Sequence, residues 1–347
     1  MLRQKFKRSE NTYRMKKLTL ENASYRYLEE SFREWLDIQG YAPVTVYNLP
    51  NHAREFFHYL EQQGVKNIKA LAPKHIKSYY EQLKERANQR RGGGLSAAHL
   101  NKHIQALRKF TDYLRKVGRV QLPTLTLENE ETEHKITYLS KEEIQHLYTA
   151  TTQSNGDYAA REKEEAFQSR DQAMLAIFYA CGLRRNEGVQ LDVGDIHWEK
   201  SLLHVRSGKN YRERFVPISK SSLYHLQEYV YDHRPQLLKY KTGALFLNYR
   251  GTRMHGQGLL VRLKQLQHKT DGPGLQEKEI GLHTLRHSIA THLLAAGMKL
   301  ESISRFLGHS SLESTQIYTH LIGEKPVTSQ PYNNIPNYET IRLQDDE

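Results

Sequence analysis

The sequence predicts a mainly α protein of two domains: a helical N-terminal domain, and a C-terminal domain of helices with a small antiparallel sheet. Three observations predict it. The chain has 347 residues, room for about two domains at roughly 100–200 residues each. Apolar residues recur at three-to-four spacing through most of its length, and only residues 201–218 change to a period of two. Between the two helical regions lies an acidic stretch with little apolar periodicity.

Taken in order, residues 1–20 hold seven Lys/Arg and one acid, Glu10, and read as a basic arm. Phosphate contact and an ordinary solvated tail both fit it. Residues 21–120 form the first domain. Tyr25, Leu28, Phe32, Trp35 and Ile38 mark a first helix, stopped by Gly40. A second covers roughly 43–63, where Pro50 is expected to kink or split it, because proline lacks the N–H and clashes with the preceding turn. Pro73 opens a third. The basic loop Arg90-Arg91-Gly92-Gly93-Gly94 precedes a fourth from about 97 to 116, N-capped by Ser96. One side of that helix is apolar. The other carries Asn101, Lys102, Gln105, Arg108, Lys109 and Asp112, donors suited to DNA that an ordinary solvated face would also show. His99 and His103 on this helix share an i, i+4 spacing without an evident further ligand, which favours a solvated face.

Residues 121–136 read as a linker with an acidic run, Glu128, Glu130, Glu131 and Glu133. A second domain, 137–325, starts with Ser140 and Glu143 in a capping-box pattern. Residues 150–170 are a polar excursion, and an apolar helix covers 172–183. Leu203 and Val205 alternate with polar neighbours, Ser207-Gly208-Lys209-Asn210 reads as a turn, and Arg214–Ile218 as a returning strand. Helices resume near 219–239 and from 256 to 318. The tail, 326–347, contains three prolines and ends in three acids.

Composition narrows the function. There are 51 Lys and Arg against 39 Asp and Glu, a net charge of +12, which favours an anionic partner such as nucleic acid. No run approaches the ~18 apolar residues of a membrane span, and the charged N-terminal stretch predicts no secretory leader. A single cysteine, Cys181, excludes a disulfide framework and a multi-cysteine zinc site.

Four short segments carry the chemistry: Gly182-Leu183-Arg184-Arg185-Asn186-Glu187; Gly208-Lys209; His283-Thr284-Leu285-Arg286-His287; and Leu307-Gly308-His309, followed nine residues later by Tyr318. Each is bland alone. His283 and His287 have metal-ligand spacing, but Arg286 between them would repel a cation and the glutamate of a metalloprotease helix is absent. No metal is expected.

Together these segments resemble the tyrosine recombinase (phage-integrase-like) family over most of the chain. That family's pattern is an arginine in a G-L-R-x-x-E turn, a hairpin lysine, an H-x-x-R helix, an L-G-H, and a tyrosine about nine residues on. All six positions are present in order: Arg184, Lys209, His283, Arg286, His309 and Tyr318. The proportions look most like the compact Xer-type and transposon- or integron-type members. The resemblance implies a SAM-like core-binding domain and a catalytic domain forming a C-shaped clamp on double-stranded DNA. It also implies four protomers on two DNA sites, joined by a C-terminal segment passed to a neighbour, and a cytoplasmic, nucleoid-associated protein.

The implied chemistry needs neither metal nor ATP. Arg184 and Arg286 would present forked donors to the non-bridging phosphate oxygens. Tyr318, ordinarily near pKa 10 (about), would be activated by those arginines and attack phosphorus, giving a 3′-phosphotyrosyl intermediate. His283 would accept a proton or position a group, His309 would bond a phosphate oxygen, and Lys209 would protonate the leaving 5′ oxygen. Glu187 would orient Arg184 or a nearby histidine. Arg185 is the alternative to Arg184. Gly188 departs from the bulky apolar residue usual in the family and is expected to remove a packing contact. Two other functions remain open: type IB topoisomerase-like relaxation, and a non-catalytic DNA-binding regulator on the same scaffold.

Overall fold

The computed structural model describes residues 18–88, 92–118, 127–131, 136–153, 161–206, 213–270, 273–309 and 311–319. Lys209, Arg90 and Arg91, most of the basic arm and the whole C-terminal tail lie outside them. The chain forms two compact units, Met1–His134 and Lys135–Glu347.

The first unit contains α1 (Ala23–Ile38), α2 (Pro43–Gln62), α3 (Pro73–Glu85) and α4 (Ala97–Lys116). Local chemistry sets their starts: the Asn22 side chain caps α1, Pro43 opens α2 with its preset φ, and the Ser96 hydroxyl accepts from the His99 N–H. Gly40 ends the first helix at φ +72°, where a Cβ would be strained. The helices bury an aromatic core. Phe110 meets Phe32 and Phe57 edge-on at 5.5 and 4.9 Å between ring centroids, and Tyr25 stacks on Phe57 at 5.3 Å. Pro50 does not split its helix: α2 runs on through it as one element, with the proline buried in the core.

The acidic stretch also differs from expectation. Residues 127–131 are fastened to α3 and α4. Asn101 bonds both backbone groups of Glu130, Arg108 donates to Leu127 O and the Asn129 side chain, and Glu130 takes the Tyr80 hydroxyl and Lys84. Two residues read as DNA donors, Asn101 and Arg108, therefore hold this strap, while Lys102 and Gln105 stay exposed.

The second unit contains α5 (Lys141–Thr151), α6 (Arg161–Leu175) continued by a π-helical turn (Ala176–Ala180), and α7 (Arg185–Gln190). A three-stranded antiparallel sheet follows in order β1 (Ile196–His197), β2 (Leu202–Val205), β3 (Arg214–Pro217). Leu203 faces Ile196 on one side and Val216 on the other, so the buried alternate residues of the central strand point into the core. Next come α8 (Lys220–Gln227), α9 (Arg234–Leu237), α10 (Gly256–Lys269), α11 (Pro273–Gln276), α12 (Leu282–Ala295), α13 (Leu300–Leu307) and α14 (Glu313–Gln316). The Ser140–Glu143 capping box is present, Ser140 Oγ accepting from Glu143 N at 3.2 Å and Glu143 Oε2 from Ser140 N at 2.8 Å. The helix expected over 172–183 is the end of α6 plus the wider π turn, which releases the chain at Gly182 just before Arg184. Helix α12 is buried along most of its length, with the Ser288 hydroxyl accepting from Leu139 N. No helix among the described residues is long and apolar enough to cross a membrane.

Candidate active site

The G-L-R-x-x-E segment builds its own geometry. Arg184 is the N-cap of α7, and Glu187, three residues on, reaches back to accept from the Arg184 backbone N–H at 2.9 Å. The same carboxylate accepts from Arg184 Nη1 at 2.9 Å and from both Nη atoms of Arg214 on β3, at 3.1 and 3.0 Å. Arg286 Nη1 lies 3.9 Å away. Three arginines thus share one buried carboxylate, leaving a pocket with surplus positive charge.

The arginines are aimed by carbonyls. Arg286, buried on α12, donates to Gly182 O at 2.8 Å and to Leu307 O at 2.7 Å. Arg184 donates to Gly308 O at 2.9 Å, and Arg214 Nε to Phe306 O at 3.2 Å. All three therefore engage the C-terminal end of α13, where the last carbonyls carry the negative end of the helix dipole and accept from the arginines. Gly308 sits there at φ +65°, and a Cβ on it would come within 2.9 Å of the Arg214 side chain. The L-G-H glycine is thus required both for the left-handed turn and for the close approach of Arg214.

Tyr318 is 1% exposed. Its hydroxyl lies 2.9 Å from His287 Nδ1, one residue beyond Arg286. The His309 ring stacks on the phenol at 6.5 Å between centroids, and its Nδ1 bonds the Thr315 hydroxyl at 2.8 Å. His283 stands on the first turn of α12 and is open to solvent.

The electrostatics follow from burial in a cationic pocket. Burial holds His309 down at about 3, helped by Arg286, Arg184 and Arg214. Burial, with His283 and Arg286, holds His287 down at about 4. His283 is lowered by desolvation and then by Arg286. Burial and the neighbouring Arg184 push even Arg286 down, to about 9. Burial drives the Glu187 carboxyl up, but the Arg214 and Arg184 contacts outweigh it and hold the group below the usual range. Tyr318 departs from expectation. Burial raises its pKa and outweighs the opposing pull of Arg286 and Arg184, so the phenol is protonated in the DNA-free protein.

The structure brings together Arg184, Glu187, Arg286, His309 and Tyr318, and sets Arg185 on the exposed side of α7, so Arg184 is the arginine turned to the pocket. Sequence reasoning missed two members. Arg214 looked like one more basic residue in a strand, with nothing to mark its pairing with Glu187. His287 was weighed only as a metal ligand with His283, although its place next to Arg286 was the available signal. Gly188 also corrects an expectation: it loses no packing. The Phe178 ring fills its place so closely that a Cβ would lie 2.4 Å from it.

A buried tyrosine hydroxyl beside a pocket rich in arginine, on a helical unit with a small antiparallel sheet, is an arrangement that can present a nucleophile to a phosphate group. Comparison with known proteins makes the class specific. Residues 137–324 match the phage integrase family, and residues 29–118 match the phage integrase N-terminal SAM-like domain. The chain is 35% identical to the tyrosine recombinase XerC of Pelotomaculum thermopropionicum over 67% of its length and 73% of that protein's. It is 34% identical to the tyrosine recombinase XerD of Proteus mirabilis over 67% and 71%. Among solved structures, a XerH site-specific recombinase bound to its palindromic difH substrate matches with TM-score 0.62 at 21% identity, over 86% of this chain and 81% of that one. The Tn1549 transposon integrase in complex with a circular-intermediate DNA matches with TM-score 0.63 at 18% identity, over 84% and 94%. The chain belongs to the phage integrase family of tyrosine recombinases, which carry out site-specific DNA strand transfer.

Proposed function

We propose that this recombinase cuts DNA with Tyr318 as nucleophile, while Arg184 and Arg286 hold the scissile phosphate. The observation that carries the assignment is the Tyr318 hydroxyl, held by His287 within the same pocket whose arginines grip the end of α13. Each guanidinium has five N–H donors, more than the contacts named above use, so a phosphate can be taken without releasing them.

The phenol oxygen attacks phosphorus, forming the P–O bond to Tyr318 as the bond to the 5′ oxygen breaks. His287, neutral near pH 7 and 2.9 Å from the hydroxyl, takes the phenolic proton as that bond forms. Charge built up on the non-bridging oxygens meets Arg184 and Arg286, with His309 as a further donor. Lys209 gives the leaving 5′ oxygen its proton, and His283 serves as a further proton acceptor or positioning group. Rejoining reverses the step with a hydroxyl from a second DNA. The bond energy stays in the phosphotyrosyl ester, so no ATP is consumed.

The DNA-bound recombinases among the similar structures support duplex DNA as the partner, met at the nucleoid. Four protomers join two sites, and residues 327–347 dock on a neighbour. Deleting that tail is expected to abolish synapsis and spare single-site binding. Nicked suicide substrates test the chemistry. The wild type accumulates a covalent protein–DNA adduct mapping to Tyr318. Tyr318→Phe binds DNA and forms none, and any adduct in that variant refutes the assignment. Relaxation of supercoiled DNA lacking a target site would instead support the topoisomerase-like alternative.

A further inference from the structure

The first unit holds a second histidine cluster, one the family resemblance does not use. The i, i+4 pair on α4, His99 and His103, is not on a solvated face as the sequence favoured. His103 is 1% exposed. Helix α2 packs opposite and adds His52 and, one turn on, Glu55. His52 and His103 rings lie 4.5 Å apart between centroids, and His52 and His99 5.6 Å. A ligand atom from each of His52, Glu55 and His103 falls within 4.8 Å of the others. His99 Nε2 is 3.4 Å from His103 Nε2, and Glu55 Oε2 is 3.9 Å from that same nitrogen.

These separations have a chemical meaning. Four ligands placed tetrahedrally at about 2.0–2.1 Å from zinc lie about 3.3 Å apart, so the His99–His103 separation already fits, while side-chain shifts must bring Glu55 closer and turn His99 toward His52 and Glu55. The deepest ligand is also prepared. The Tyr79 hydroxyl bonds His103 Nδ1 at 3.1 Å, so a tautomer that keeps the proton on Nδ1 leaves Nε2 bare toward His99 and Glu55. Burial holds His52, His99 and His103 all below the ordinary imidazole value, hence in the neutral form that a metal requires. Two cations oppose. Arg86 pairs with Glu55 at 2.8 Å, and Lys102 lies near His52 and His99. The Arg86 side chain is 42% exposed, and a pair that open to water is weakly held, so a divalent ion can displace it.

We infer that His52, Glu55, His99 and His103 form a closed site for a borderline transition-metal ion of the zinc class, clamping α2 to α4. Imidazole and carboxylate donors select that class over calcium or magnesium, and four protein ligands leave no open position, so the ion braces the fold instead of reacting.

The test uses the full-length protein, stripped with a chelator and titrated with Zn²⁺ against a chromophoric competitor, and with Co²⁺ as a spectroscopic probe. One equivalent of Zn²⁺ is expected, with a raised Tm, and a tetrahedral ligand-field band with Co²⁺. The double variant H52Q/H99Q should lose at least 100-fold in Zn²⁺ affinity. Tyr79→Phe, which removes only the hydroxyl on His103, should lose about 10-fold. H283Q/H287Q, altered in the other histidine cluster, should keep the full equivalent. Absence of stoichiometric uptake at micromolar free Zn²⁺ overturns the inference. So does unchanged affinity in H52Q/H99Q or Tyr79→Phe, whichever folds, or loss of uptake in H283Q/H287Q alone.

Discussion

Both units gather histidines where helices meet, and in both, burial holds those histidines below their ordinary pKa. What separates the two clusters is the company they keep. In the catalytic unit, His287 and His309 stand among Arg184, Arg214 and Arg286, with Glu187 as their shared counter-charge, and the pocket is short of an anion. In the N-terminal unit, His52, His99 and His103 stand around a carboxylate and a tyrosine, with Arg86 at the open side. The pairs His283/His287 and His99/His103 have the same spacing. Residue type and spacing therefore do not decide between anion and cation; the charge brought up by the opposing element does.

The largest effect is expected from removing the shared carboxylate. Glu187→Gln leaves three arginines facing one another in a buried pocket. Breaking a buried ion pair from one side costs about 3–5 kcal/mol, so thermal denaturation should show a large fall in Tm. Added inorganic phosphate should restore part of it by supplying the missing negative charge, and zinc should not. Equal rescue by both ions, or by neither, would break the contrast drawn above.

Next comes Arg286→Lys. A lysine keeps the charge but cannot donate at once to Gly182 O, Leu307 O and a phosphate with fixed geometry. The adduct-forming rate on a suicide substrate should fall about 10²–10³-fold, the usual cost of one well-placed donor to a developing oxyanion. A smaller effect is expected from Gly188→Ala. Its Cβ would overlap Phe178, and overpacking of this kind costs about 1–3 kcal/mol, read as a lowered Tm. An unchanged Tm would mean that α7 shifts freely, and with it Arg184.

The helices and their caps were legible in the sequence because each depends on local spacing, whereas the Arg184–Tyr318 constellation was read from the family pattern that its scattered segments resemble. The Ser96 cap, the Ser140–Glu143 box and the Gly40 stop need only a few neighbouring residues. What the sequence hid depends on contacts across the fold. Arg214 meets Glu187 through the return of β3, and Glu55 meets His103 through the packing of α2 on α4. Asn101 and Arg108 read as DNA donors because nothing local marks residues 127–130 as their partner. Pro50 was read as a kink or a split, and the split is absent: propensity ignores the tertiary burial that keeps α2 continuous through it. The Tyr318 pKa was read from its charges alone, and burial reverses the sign.

The smallest effect per residue is the response of the two pocket histidines to acid. His287 and His309 are held at about 4 and about 3 in the folded protein, against roughly 6.5 in an unfolded chain. Between those values the unfolded state binds more protons. The stabilisation is complete above about pH 6.5 and drains as pH falls toward the folded values. Each histidine can contribute at most about 1.4 kcal/mol per pH unit, and partial exposure reduces that. Denaturation from pH 7 to pH 5 should therefore show a falling Tm, and His309→Gln should flatten the slope. Phosphate in the arginine pocket should flatten it too, because an added anion raises the histidine pKa values toward that of the unfolded chain. A slope that is indifferent to both would place the acid sensitivity outside this cluster.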